Sequence, residues 1–129
     1  QTPEGGWGEA GAADTEGKYV ELGRSTASQS AWGLMGLLSV ATRVTPAIRR
    51  GVEYLLRVQA LDGAWAENYT TGAGFAGKLY LDYRFYKDVW PLQALGLARN
   101  LMSYGSAWAG LDCADASARA SLTGDPRRG

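Results

Sequence analysis

A seven-residue pattern, Gln-x3-Gly-x-Trp, occurs twice in this chain and constrains its fold more than any other feature. It runs from Gln1 to Trp7 (QTPEGGW) and again from Gln59 to Trp65 (QALDGAW), so equivalent positions lie 58 residues apart. Repetition at such a period is typical of stacked supersecondary units, each of which buries its apolar face against a neighbour. The pattern therefore predicts a repeat architecture rather than one irregular globule.

The composition excludes several classes of function. The 13 Lys and Arg residues balance 13 Asp and Glu residues, so the formal net charge is zero and no field favours a nucleic-acid partner. The chain has no histidine, which removes a Ser-His-Asp triad, a histidine metal site and an imidazole proton shuttle. The single cysteine, Cys113, has no basic neighbour and is expected to be an idle thiol. We therefore predict neither a metal nor a cofactor.

Apolar residues follow helical spacing in three segments that are separated by Gly-rich loops. The segments cover about 25–40, 45–60 and 90–102, and a short helix is predicted near 18–22. A hydroxyl precedes the first segment at Ser25 or Thr26, and Thr45-Pro46 opens the second with a capping residue and a proline. Because no segment shows sustained strand alternation, the predicted fold class is all-α.

Residues upstream of the second repeat extend it into a longer motif, and an ordered series of motifs surrounds it. The extended motif reads Arg50-Gly51-x2-Tyr54-Leu55-x3-Gln59-x3-Gly63-x-Trp65. It is similar to the QW motif of the triterpene cyclases, and it resembles squalene-hopene cyclase most. Segments 25–38, 71–75, 79–86 and 89–96 resemble the family sequences STxSQTAWALMALL, TGTGFP, FYLxYxxY and VFPxxALG in the same order.

The resemblance covers about residues 1–99 and implies the C-terminal part of an α/α toroid, with the first repeat cut at its own glutamine. It assigns residues 1–104 to that barrel, whereas the Ala- and Ser-rich residues 105–129 are expected to form a flexible tail. In each QW motif the amide can satisfy backbone groups and the indole can stack on a neighbouring helix. The structural residues are then Gln1, Gly5, Trp7, Arg50, Gly51, Tyr54, Leu55, Gln59, Gly63 and Trp65.

The resemblance also implies an isomerase that cyclises squalene through a cascade of carbocations. Aromatic faces stabilise a desolvated cation by ~2 kcal/mol or more, and an apolar cavity excludes the water that would quench it. The residues that fall on cavity-lining positions of the family are Phe75, Leu79, Leu81, Tyr83 and Tyr86. The expected partners are an apolar isoprenoid substrate and the rest of the barrel. The expected location is the cytoplasmic side, with peripheral membrane contact through another part of the protein.

Three departures from the family pattern keep a second hypothesis open. Leu79 replaces an aromatic residue, Ala76 replaces a proline, and the Asp-rich protonating motif Asp-x-Asp-Asp is absent from the chain. The alternative is a non-catalytic or degenerate helical-repeat module that retains the QW clamps alone. From residue spacing by itself, Tyr80, Tyr83 and Tyr86 would simply pack one helix. A protein prenyltransferase is a weaker hypothesis, since its zinc ligands would include histidine and this chain has none. A diterpene cyclase is weaker still, since that family lacks the motif series of residues 71–91.

Overall fold

The computed structural model describes residues 1–75 and 77–108 of the chain. Within this part, four helices and four short strands are interspersed along the sequence. The elements are β1 (Trp7–Glu9), α1 (Ala13–Glu16), β2 (Glu21–Thr26), α2 (Ala27–Leu38), α3 (Pro46–Arg57), β3 (Gly72–Phe75), β4 (Leu79–Leu81) and α4 (Tyr86–Trp108). The backbone of α4 continues through 105–108, whereas residues 109–129 of the predicted tail lie outside the described residues.

Two of the predicted helix starts are confirmed by their capping contacts. The Thr26 hydroxyl accepts a hydrogen bond from the Gln29 amide at 3.4 Å, and the Thr45 hydroxyl accepts one from the Ile48 amide at 3.3 Å. The third helix starts earlier than predicted. Pro91 lies inside α4 rather than at its first position, because a turn ahead of it already has the Val89 amide donating to the Phe85 carbonyl at 2.8 Å.

The prediction of a purely helical chain is correct only in part. β1 pairs with β2 and β3 pairs with β4, which gives two antiparallel two-stranded sheets, and β1 and β3 lie in segments that were predicted to be loops. The short helix predicted near 18–22 is wrong, since β2 begins at Glu21. Strands of three to six residues are too short to display alternation, and their glycines carry no apolar signal at all.

The core lies where α2 packs against both α3 and α4. Its buried residues come from all three helices and include Tyr54, and Leu34, Ile48 and Leu55 are almost wholly excluded from solvent. Burying each of these side chains contributes roughly 1.5–3 kcal/mol. The predicted α2 stripe is confirmed at Ala27, Ala31 and Leu34, which are all buried. None of the described helices is long and apolar enough to cross a membrane.

Tyr54 makes the stability of this core depend on pH. Burial in α3, followed by the negative charge of Glu4, raises the pKa of the Tyr54 phenol above its usual value of 10.0. The folded state therefore disfavours the phenolate, so the stabilisation is complete below about pH 10 and decreases as pH rises through the folded pKa. We expect Tyr54→Phe to flatten the loss of stability above about pH 10, where an ordinary phenol ionises, measured by urea denaturation.

The matched control for this pH dependence is Tyr19→Phe, because the Tyr19 side chain is largely exposed. This variant should lose stability with rising pH as steeply as the wild type does. Equal slopes for Tyr54→Phe and the wild type would show that the Tyr54 phenol does not contribute to the alkaline transition.

Candidate functional site

The first Gln-x3-Gly-x-Trp copy is bound to α3 through the carboxamide of Gln1. Its Nε2 donates to the carbonyls of Gly5 at 2.7 Å and Ala47 at 2.9 Å, while its Oε1 accepts from Arg50 Nη2 at 2.7 Å. The amide thus closes its own turn and also joins that turn to the first turns of the helix. One side chain makes three contacts because an amide both donates and accepts.

The Trp7 indole of the same copy lies against two helical glycines. A Cβ added at Gly51 in α3 would lie 3.0 Å from Trp7 Cζ3, and one added at Gly33 in α2 would lie 2.6 Å from Trp7 Cδ2. Ordinary van der Waals contact would place these atoms farther apart. The two glycines therefore allow the ring to pack directly on the backbones of both helices.

The second copy binds α3 through the indole of its tryptophan, whereas the first copy binds α3 through the carboxamide of its glutamine. Gln59 Nε2 donates to the Gly63 carbonyl at 2.8 Å, as in the first copy, but Trp65 Nε1 donates to the Leu55 carbonyl at 2.9 Å. That carbonyl lies in the last turn of α3, where backbone acceptors have no partner within the helix. The Trp65 amide donates to Asp88 Oδ1 at 3.2 Å, so this turn joins α3 to α4.

Four aromatic rings from α2, from the loop after β4 and from α4 form one aromatic cluster: Trp32, Tyr83, Tyr86 and Trp90. Tyr83 stacks on Tyr86 with ring centroids 4.7 Å apart and an interplanar angle of 23°. Trp32 and Trp90 each meet Tyr86 edge-on at 5.8 Å, and they meet each other at 6.4 Å. Tyr86 therefore contacts the other three rings, in geometries that aromatic pairs favour.

Sequence reasoning named Tyr83 and Tyr86 but missed both tryptophans of the aromatic cluster. A signal for Trp90 was present, because it follows Tyr86 by four positions and so lies on the same helical face. Trp32 lies in α2, which is far from Tyr86 along the sequence, so no local spacing predicts the contact between the two rings. Trp90 Nε1 is buried without a hydrogen-bond acceptor among the described residues, which indicates an apolar environment around this ring.

The other three predicted lining residues lie in the β3–β4 hairpin. Phe75 pairs with Leu79 across the sheet, and Leu81 pairs with Gly72. Phe75 is 70% exposed, and its ring stacks on no other ring among the side chains that the structure describes. The structure thus brings Tyr83 and Tyr86 together and places Phe75 beside Leu79, without joining the two groups ring to ring.

Gly72 connects the hairpin to the aromatic cluster. A Cβ added at Gly72 would lie 2.7 Å from Tyr83 Cδ2 and 2.8 Å from the Leu81 carbonyl oxygen, so the phenol ring packs directly on the β3 backbone. The alternative suggested by residue spacing alone, that Tyr80, Tyr83 and Tyr86 pack one helix, does not hold, since Tyr80 lies in β4 and α4 begins only at Tyr86. The strand separates the first tyrosine from the other two.

A cleft of about 640 Å³ opens beside the aromatic cluster, and Trp32, a member of the cluster, also lines the cleft. Aromatic side chains line much of it: Trp7, Tyr19, Trp32, Tyr69 and Tyr80. Glu9, Asp14 and Lys18 also border it, so the wall is mixed rather than apolar. Its rings come from β1, α2, β4 and the loops that carry Tyr19 and Tyr69, and none of the five predicted lining residues borders it.

Glu67 fixes the loop that enters this cleft. Its carboxylate accepts from the Ser28 amide at 2.7 Å and from the Ser28 hydroxyl at 2.6 Å. Ser28 lies in the first turn of α2, where free amides and the helix dipole favour a negative charge. Sequence reasoning missed this contact, because the two residues are 39 positions apart.

Comparisons with known proteins agree with this architecture of clamped helices. The family model for the squalene-hopene cyclase C-terminal domain matches residues 1–100. Squalene-hopene cyclase of Alicyclobacillus acidocaldarius is 49% identical over 60% of this chain, and that of Bradyrhizobium diazoefficiens is 42% identical over 82%. Lanosterol synthase of Mus musculus is 34% identical over 78% of it.

The matched regions are a small share of these relatives, at 12%, 16% and 14% of their respective lengths. The matched residues of the family model nevertheless include both Gln-x3-Gly-x-Trp copies, the aromatic cluster and the β3–β4 hairpin. The chain therefore belongs to the squalene-hopene cyclase C-terminal domain family.

Proposed function

We propose that this chain is part of a squalene-hopene-type triterpene cyclase and supplies aromatic surface that stabilises carbocations while squalene is cyclised. In this proposal residues 1–104 form the C-terminal part of an α/α toroid. The observation that carries the proposal is the aromatic cluster, in which one tyrosine is held by three other rings.

The geometry of the cluster suggests different roles for its two tyrosines. Tyr86 is held on its face by Tyr83 and at close range by Trp32 and Trp90, so its ring is fixed. Tyr83 is 46% exposed, and the face of its ring that is turned away from Tyr86 meets no other described ring, although the Gly72 backbone also lies against the phenol. A cation over that face would gain ~2 kcal/mol or more once water is excluded. Tyr83 is then the ring that meets the cation, and Tyr86 supports it.

Phe75, Leu79 and Leu81 complete the proposed lining from the hairpin. Leu79 and Leu81 give an apolar wall that neither donates nor accepts protons, which protects a cation from capture. The chain contains no Asp-x-Asp-Asp motif, so the proton that starts the cascade comes from another part of the cyclase. The proposed partners are therefore a squalene-like isoprenoid and the remainder of the barrel, through which any peripheral membrane contact on the cytoplasmic side is made.

Replacing Tyr86 tests this proposal in the full-length cyclase. Tyr86→Leu removes the ring that holds Tyr83, and we expect squalene turnover to fall about 30-fold, which corresponds to ~2 kcal/mol of lost cation stabilisation. Tyr86→Phe keeps the ring and should retain most of the activity. Gas chromatography of the products from squalene measures both, and circular dichroism checks that each variant is folded.

Two outcomes would contradict the proposed function. A full-length wild-type protein that leaves squalene unchanged would favour the non-catalytic repeat module, with the QW clamps as its only retained feature. Unchanged turnover and products in a folded Tyr86→Leu variant would show that the aromatic cluster has a packing role alone.

A further inference from the structure

Two tyrosines bind the peptide groups of Gly11: Tyr69, which precedes β3, and Tyr80, which lies in β4. The Gly11 amide donates to Tyr69 Oη at 2.7 Å, and Tyr80 Oη donates to the Gly11 carbonyl at 3.0 Å. The Gly77 amide in turn donates to Tyr80 Oη at 3.1 Å. The Tyr80 hydroxyl therefore joins the hairpin turn to the Gly11 loop, and we call this set of contacts the Gly11 latch.

The latch is also a close steric fit. A Cβ added at Gly11 would lie 2.8 Å from Tyr80 Cε1, and one added at Gly77 would lie 2.7 Å from Thr15 Cγ2. Gly77 has a φ of 69°, a left-handed conformation that glycine adopts without strain. Both sides of the contact thus depend on the absence of a side chain, and the hairpin turn rests directly on the α1 region.

Strand geometry transmits the position of Tyr80 to its neighbours. Successive side chains in a strand point to opposite faces, so Leu79 and Leu81 project away from the side on which Tyr80 is bound. Phe75 pairs with Leu79 in the register of the sheet. Fixing Tyr80 therefore fixes the direction of Leu79 and Leu81 and the place of Phe75 beside them.

The other half of the latch is attached to α2. Tyr69 lies two residues after Glu67, whose carboxylate binds Ser28 through two hydrogen bonds of 2.7 and 2.6 Å. The Arg24 guanidinium lies 6.0 Å from the centroid of the Tyr69 ring, on the strand that leads into α2. These contacts fix the position of the hairpin relative to α2, the helix that carries Trp32 of the aromatic cluster.

We propose that Tyr80, with Tyr69, is a positioning residue of the cyclase that sets how the hairpin presents Phe75, Leu79 and Leu81 to the carbocation. Neither tyrosine needs to touch the substrate for this role. The inference rests on the proposed function, because a contact outside Phe75, Leu79 and Leu81 can affect the product only if these residues line the site of cyclisation.

The test uses Tyr80→Phe in the full-length cyclase with two separate measurements. Hydrogen-exchange mass spectrometry reports on the hairpin amides. Tyr80→Phe loses both hydrogen bonds of the hydroxyl, to the Gly11 carbonyl and from the Gly77 amide, and exchange in 72–81 should become at least about 5-fold faster. Gas chromatography reports on products from squalene, in which we expect the share of incompletely cyclised or hydrated species to rise at least about 3-fold while total turnover changes less.

Two further variants separate positioning from general damage. Ser39→Ala removes an exposed hydroxyl that donates to the Gly36 carbonyl at 2.8 Å, at the end of α2 and outside both the hairpin and the cleft, and should change neither measurement. Gly11→Ala keeps both phenols but displaces the Tyr80 ring, and should reproduce the product shift of Tyr80→Phe.

Each contrary outcome overturns a defined part of the proposal. Unchanged hairpin exchange in Tyr80→Phe would show that the latch does not hold the hairpin. Faster exchange with an unaltered product ratio would overturn the positioning role and leave the proposed function intact. If the wild-type protein leaves squalene unchanged, the proposed function and the product effect both fail, whereas the exchange measurement still decides whether the latch exists.

Discussion

Trp65→Ala is expected to destabilise the fold by about 3–5 kcal/mol, because a large buried ring is removed and a cavity remains. Trp65 is only 3% exposed, and its indole N–H binds the Leu55 carbonyl in the last turn of α3. A loss of this size is a large fraction of the ~5–15 kcal/mol that stabilises a typical domain. Urea denaturation followed by far-ultraviolet circular dichroism measures the change without relying on the tryptophan that is removed.

Two matched variants separate the contributions to this loss. Trp65→Phe keeps most of the buried area and loses the N–H, so we expect a cost of about 1–3 kcal/mol from the unpaired Leu55 carbonyl. Trp7→Ala changes the equivalent residue of the first copy, which is only half-buried, and should cost less than Trp65→Ala. Equal losses for Trp7→Ala and Trp65→Ala would show that the two copies are energetically equivalent despite their different contacts.

The sequence predicted those parts of the fold that depend on local signals. Thr26 and Thr45 each precede an apolar helical pattern, and both cap a helix. A capping hydroxyl acts within three residues, so it can be recognised without knowing what the helix packs against. The all-α prediction failed at β1 and β3 for the opposite reason, since a strand that short forms only when its distant partner is in place.

The candidate site shows the same division between local and distant contacts. Tyr83 and Tyr86 are three positions apart, and they stack as neighbours. Trp32 reaches Tyr86 from α2, and Tyr80 reaches Gly11 across 69 positions of sequence. A family resemblance identifies the residues of each motif. Contacts between motifs depend on tertiary packing, which residue spacing along the chain does not reveal.

The two glycines of the repeated motif should respond differently to the same substitution. Gly5 and Gly63 both have positive φ, at 97° and 89°, so alanine strains the backbone at either position. A Cβ at Gly5 would lie 2.6 Å from the Arg50 carbonyl oxygen, whereas the nearest atom to a Cβ at Gly63 is Gln59 Nε2 at 3.9 Å. The first glycine is enclosed by α3, and the second faces open space within the described residues.

We therefore expect Gly63→Ala to cost about 1–2 kcal/mol, which is the backbone term alone, and Gly5→Ala to cost at least about 2 kcal/mol more. The added cost arises because a helix backbone cannot move aside as a flexible side chain can, so the Gln1 contacts to Ala47 and Arg50 must break. Gly17→Ala gives a third reference, since Gly17 has a φ of 64° and no atom within 4 Å of an added Cβ. Urea denaturation should rank Gly5→Ala well above the other two. Equal costs for all three would mean that the first clamp does not hold its turn against α3, and the repeated motif would then fix turns without joining helices.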